Sequence, residues 1–118
     1  MAPTGLDLTA LQALGSLVDS DLQTWRELLD IHLEHSEKLA LQVESALRDG
    51  DLPALERAAH TLKSSSAMFG ALELAAACAG AELHAHNGNP VAMEFGRELL
   101  RLRAVAHLQL LPWRDQVP

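Results

Sequence analysis

SDLQTWRELLDIHLEHSEKLALQVESALRDG, residues 20–50, is the stretch that decides the fold of this chain. Within it Leu22, Trp25, Leu29, His32, Ser36, Leu39, Val43 and Ala46 recur at alternating steps of three and four. A seam held over so many turns predicts one long helix, over about 21–48, packed nearly parallel or antiparallel to its neighbours. Ser20 with Gln23 three residues on has the spacing of a capping box. Asp49-Gly50 is a stop signal.

Upstream, residues 7–17 read as a short helix with Asp7 or Thr9 as its N-cap. Downstream, Asp51 can cap a third helix over 52–68, with Pro53 in the first turn, where amide donors have no partner anyway. Its inward stripe is Leu55, Ala59, Leu62 and Ser66. Gly70 interrupts the pattern. A fourth helix over 71–86 carries Leu74, Cys78, Ala81 and Ala85 along one side. Asn87-Gly88-Asn89-Pro90 is a stop followed by a start. The last helix, 90–110, presents Val91, Phe95, Leu99, Leu102, Ala106 and Leu110, and Pro112 ends it. The expected fold is all-α: an antiparallel up-down-up-down four-helix bundle, with the short N-terminal helix covering one end. Residues 1–118 form one domain.

Composition agrees. Nearly half of the 118 residues are apolar, but only two Phe and two Trp are aromatic and Tyr is absent. The core must be Leu, Ala and Val, and the first two are strong helix formers. A net charge of −7 argues against nucleic acid as a partner. No apolar run approaches the roughly 20 residues of a membrane span. The start, MAPTGLDLTA, has neither the basic nor the apolar part of a secretory signal, and Met1 suggests a free-standing chain. A single cysteine, Cys78, lies in an alanine run and reads as a buried thiol. The cytoplasm is the expected compartment, and a monomer the expected state.

The chemistry concentrates in AAHTLKSSSAMFGA, residues 58–71. His60 follows the inward Ala59 and so is turned roughly 100° from it, toward the edge of the stripe or solvent. Lys63, Ser64 and Ala67 lie at i+3, i+4 and i+7 on the same strip, and Arg57 at i−3 adds a second cation. An imidazole beside a lysine and flanked by small side chains is a nucleophile that a partner can approach. Taken alone, a helix histidine is more often an ordinary surface residue; the surrounding string is what singles this one out.

That string resembles the histidine-containing phosphotransfer (HPt) family, whose pattern is His-x-Leu-Lys-Gly-x-Ser-x-x-x-Gly-Ala, followed by Leu, Cys and Glu. His60, Leu62, Lys63, Ser66, Gly70, Ala71, Leu74, Cys78 and Glu82 match it, as do Leu6-Asp7 and Gly50-Asp51 upstream. The resemblance implies that His60 accepts the phosphoryl group, that Lys63 offsets its charge, that Glu82 hydrogen-bonds the imidazole and that Gly70 shapes a turn. It implies receiver domains of response regulators as partners, a hybrid sensor kinase among the candidates, and a phosphorelay as the setting. Ser64 stands where the family usually has glycine. Its hydroxyl is expected to fold back onto the His60 carbonyl, and Ala67 and Met68 to form part of a docking rim, with core burial of Met68 an equal alternative.

Phosphoryl transfer to histidine needs an unprotonated ring nitrogen, which an ordinary imidazole supplies at cellular pH. No Gly-rich loop followed by Lys-Ser/Thr provides a nucleotide site, and no acidic cage provides a magnesium site. The chain is therefore expected to be a carrier and not an enzyme, with no cofactor or metal of its own and Mg²⁺ on the partner receiver. Two other readings stay open: a scaffold that binds a receiver or kinase without being phosphorylated, and a metal-binding bundle using His32 and His35. The metal reading is the weaker, because His32 falls on the seam and no further ligand completes a set. His84 and His86, two apart, face different ways. Trp25 reads as a bundle anchor. Asp19, Asp21, Glu27, Asp30, Glu34 and Glu37 read as a solvated acidic face that could also select partners.

Overall fold

The computed structural model describes residues 5–118; Met1 and the rest of the extreme N-terminus considered above lie outside the described residues. These form five α-helices and no strand: α1 (Leu8–Leu17), α2 (Leu22–Asp49), α3 (Leu52–Met68), α4 (Leu72–His86) and α5 (Ala92–Leu110), followed by a 3₁₀ helix (Leu111–Asp115). A helix of 28 residues is about 42 Å long, and α2 accordingly sets the 43 Å long dimension. Packing runs as a closed ring: α2 lies on α3 and α5, and α4 lies on the same two helices. No helix among the described residues is long and apolar enough to cross a membrane.

Helix starts follow local hydrogen bonding. Asp7 Oδ1 accepts from the Thr9 amide at 3.1 Å, and Asp51 Oδ1 from the Ala54 amide at 3.1 Å. At α2 the capping-box expectation needs correction. Asp21, not Ser20, is the cap: its Oδ2 accepts from the Thr24 amide at 2.8 Å and from the Thr24 hydroxyl at 2.6 Å. Ser20 has φ +55° in the turn, and Gln23 reaches forward to Glu27 instead. A carboxylate is the stronger acceptor for a helix's orphan amides, so it displaces the serine. The α2 stop is as expected, with Gly50 at φ +63° and the Asp51 amide donating back to the Ala46 carbonyl at 2.9 Å.

The α2 seam is buried from Trp25 to Ala46, and Leu55, Ala59, Leu62 and Ser66 of α3 are fully enclosed. Each of those leucines contributes roughly 2 kcal/mol by leaving water. Ser66 avoids an unsatisfied hydroxyl by donating to the Leu62 carbonyl at 2.7 Å. On α5 the stripe differs from expectation: Ala92, Gly96, Leu99, Ala106 and Leu110 are buried, while Val91, Phe95 and Leu102 are half-buried. The reason is close approach. A Cβ at Gly96 would lie 2.8 Å from Leu47, and one at Gly80 would lie 2.3 Å from the Phe95 ring, so two glycines let α5 settle against its neighbours.

Both ends carry a clasp. The Asp7 amide donates to the Gly70 carbonyl at 2.8 Å, joining the start of α1 to the α3–α4 turn. Gly70 has φ +78°, and a Cβ there would lie 2.6 Å from the Asp7 carbonyl oxygen, so the turn requires glycine. As expected, α5 ends at Leu110, just before Pro112. The chain continues as the 3₁₀ helix, where a proline fits the first turn. The indole of Trp25 donates to the Trp113 carbonyl at 2.7 Å, and Arg114 holds Asp30 with two bonds of 2.7 and 2.9 Å. Asp30 is thus not merely part of a solvated acidic face.

Candidate functional site

His60 lies on the outer side of α3, over a floor of buried Ala58, Ala59 and Leu62. Its side chain is 67% exposed. Glu82 of α4 meets it: the ring Nδ1 is 2.5 Å from Glu82 Oε2. The other carboxylate oxygen, Oε1, accepts from Lys63 Nζ, also at 2.5 Å. One carboxylate thus joins the imidazole to the ammonium. The Lys63 ammonium holds the Glu82 carboxyl below its usual range, and the bond to His60 adds to this against the opposing effect of partial burial. Glu82 is therefore ionised at neutral pH.

An ionised carboxylate can only accept hydrogen bonds, so the Nδ1 that touches it must donate. In the neutral ring the remaining nitrogen, Nε2, then carries the free lone pair. The arrangement presents one nucleophilic nitrogen, of fixed tautomer, on the outside of a rigid helix.

The other residues expected at the site fall around it. Pro53, Glu56, Arg57, His60, Thr61 and Glu82 line an open groove along α3 and α4. Ser64 is exposed and its hydroxyl makes no hydrogen bond, so its expected fold-back onto the His60 carbonyl does not occur. That kind of bond is made instead by Thr61 to Arg57 and by Ser66 to Leu62. Ala67 is half-buried and Met68 is 50% exposed, which decides for the surface position of the methionine. Gly70 is at the turn, remote from the ring. Lys63 is found on Glu82 and is not standing free beside the imidazole.

Elsewhere His32, His35, His84 and the cysteine take ordinary roles. His32 is buried and stacks on Phe69 with ring centroids 4.1 Å apart; burial pushes its pKa down to about 4, so it is neutral. His35 is exposed, and no group of three or more His, Cys, Asp or Glu is placed to hold a metal among the described residues. His84 stacks on Phe95 at 5.0 Å. Burial pushes the Cys78 thiol up to about 12, so it is unreactive. Trp25 is fully buried, an anchor as expected.

A sequence model of the Hpt domain matches residues 27–110, well over half of the chain and including the whole His60–Glu82 arrangement. The chain belongs to the Hpt domain family. Among solved structures it is similar to the crystal structure of histidine-containing phosphotransfer protein B (HptB) from Pseudomonas aeruginosa PAO1, with 28% identity and a TM-score of 0.85 over 98% of this chain and 97% of that one. No relative matches among curated protein sequences. The Hpt assignment carries with it a role in histidine phosphotransfer within a phosphorelay.

Sequence reasoning missed one element of this Hpt surface. His86, near the end of α4, brings its Nδ1 to 2.9 Å from Glu56 Oε2 on α3. The signal was present: Glu56 precedes His60 by four residues, and His86 follows Glu82 by four. Residues so spaced share a helix face. Contact between one such pair brings the other pair together when the two helices run in opposite directions.

Proposed function

We propose that His60 Nε2 takes a phosphoryl group from an aspartyl phosphate of one receiver domain and passes it to an aspartate of another. The observation that carries this reading is the contact between His60 Nδ1 and Glu82 on an otherwise exposed ring. In the step, the Nε2 lone pair forms an N–P bond while the acyl P–O bond breaks and the aspartate carboxylate leaves with that electron pair. The ring keeps its Nδ1 proton and becomes cationic, and the adjacent Glu82 carboxylate stabilises that charge. Such transfers are loose and in line, so positioning and charge do most of the catalysis. Lys63, held one carboxylate away, offsets phosphoryl charge. The reverse step uses the same groups.

The receiver brings its own Mg²⁺ and acidic residues, and this chain acts as a carrier without cofactor. Arg57, Ser64, Ala67 and Met68, on the same helix as the ring, form the docking rim, with the Ser64 side chain restricting approach where a glycine would not. The frame is a single domain, an antiparallel up-down-up-down bundle with α1 over one end. Short connections and the closed ring of helix contacts support this arrangement, and Gly70 keeps its α3–α4 turn. A monomer in the cytoplasm, engaging receivers or a hybrid kinase and no nucleic acid, is the setting that fits.

Incubation with a ³²P-labelled receiver tests the reading. Acid-labile, alkali-stable label is expected on the wild type and lowered at least tenfold in His60→Gln. Receiver binding without any label would replace the carrier with a scaffold.

A further inference from the structure

The α3–α4 surface holds two His–carboxylate pairs. In the first, α3 supplies the imidazole of His60 and α4 the carboxylate of Glu82. In the second, α4 supplies the imidazole of His86 and α3 the carboxylate of Glu56. The index changes by four on each helix, so the second pair lies one helical turn, about 5.4 Å, along the seam. The contact uses the same ring atom, Nδ1, in both cases. The two imidazoles are exposed to the same degree, 67% and 72% of their side chains. Each faces its own groove: one is lined by His60 with Arg57, the other by His86 with Lys63, and both grooves include Glu56 and Glu82.

The orienting carboxylate, the exposure and the nearby cation of His60 therefore recur at His86, although no lysine bonds Glu56 as Lys63 bonds Glu82. A carboxylate on Nδ1 makes that nitrogen the donor and leaves the lone pair on Nε2. The ring is open to solvent, and a cation lies in the same groove to meet incoming phosphoryl oxygens. The other exposed helix histidine, His35, lines a surface with Ile31, Glu34 and Lys38 but has no hydrogen bond to a carboxylate. It serves as the control.

We propose that His86 is a second phosphoryl-accepting imidazole, oriented by Glu56 and open to small phosphoryl donors. The inference rests on the reading of His60 above, whose own labelling serves as the internal standard. With phosphoramidate as donor, the His86 Nε2 lone pair forms an N–P bond, the donor's P–N bond breaks and ammonia departs with its electron pair.

The test is incubation of the intact protein with phosphoramidate, followed by mapping of phosphohistidine by electron-transfer mass spectrometry. Label is expected on His60 and, more slowly, on His86, with His35 at least fivefold below His86. His60→Gln should keep the His86 label, His60→Gln/His86→Gln should lose it, and Glu56→Ala should lower it severalfold, with circular dichroism verifying the fold of each variant. Label on His60 alone would overturn the inference and leave the His60 reading standing. Equal label on His35 and His86 would also overturn it, because Glu56 would then contribute nothing. Absence of label at both His60 and His86 would overturn both readings.

Discussion

Consider acidifying the protein from pH 7 to pH 5 while measuring its stability. His32 is 7% exposed and sandwiched against Phe69, and burial takes its pKa from 6.5 to about 4, with the positive fields of His35 and His107 acting in the same direction. The unfolded chain binds a proton at this residue below pH 6.5, whereas the folded chain declines it until about pH 4. Between those values the unfolded state binds more protons, so stability falls as pH falls. A separation of about two and a half pH units at ~1.4 kcal/mol each gives about 3 kcal/mol in all, of which about 2 kcal/mol is lost by pH 5. A chain of this length has a total stability of roughly 6–18 kcal/mol, so the loss is easily measured. Urea denaturation at pH 7.0, 6.0 and 5.0 should show it in the wild type. His32→Gln cannot titrate, so its stability should decline less, and the gap between the two curves should close by about 2 kcal/mol. The window stays above the carboxylate range, where Asp30 and Glu82 would lose their own contributions as they protonate. Parallel curves would refute the reasoning and place the His32 ring in a far wetter site than its burial indicates.

Gly70→Ala should cost about 2–4 kcal/mol in urea denaturation, since a left-handed alanine and the loss of the Asp7 amide bond act together. Glu82→Ala should slow phosphoryl transfer from a receiver at least tenfold in single-turnover labelling, whereas Glu82→Gln, which can still accept from Nδ1, should fall less. Ser64→Gly should lower stability by several tenths of a kcal/mol, as an exposed helix glycine does, while tightening receiver binding by isothermal calorimetry.

The fold was legible where one periodicity ran long enough to define a face. On α2 and α3 the large residues of the stripe, Leu22 at the helix start excepted, are buried, because Leu, Trp and Val leave water wherever the helix allows it. On α5 the same rule failed at Phe95, since the closest contact is made by Gly96 and Gly80, whose value lies in what they lack. The cap of α2 was misplaced by one residue because Ser20 and Asp21 are both good N-caps and spacing alone favoured the serine. The C-terminal clasp was invisible for a different reason. Trp25 to Trp113 and Asp30 to Arg114 are contacts between chain ends, and no local pattern encodes a partner some eighty residues away. Within the site, His60 and Lys63 were readable from one helix, and Glu82 only through the family pattern. The Glu56–His86 pair depends on the register between two helices, which periodicity does not fix.

That register also explains why a carboxylate and an ammonium both serve the imidazole. The carboxylate fixes the tautomer of the ring, and Lys63 bonds its opposite oxygen, so its charge is shared between the ammonium and the imidazole while it still accepts from Nδ1. In the proposed transfer the N–P bond leaves the ring cationic and the phosphoryl group anionic, and the same Glu82 and Lys63 supply the two complementary charges. A site built to favour only one of these states would trap it. For the carrier role proposed above, sharing one carboxylate between the imidazole and the ammonium gives the empty and the loaded form alike a partner for each charge.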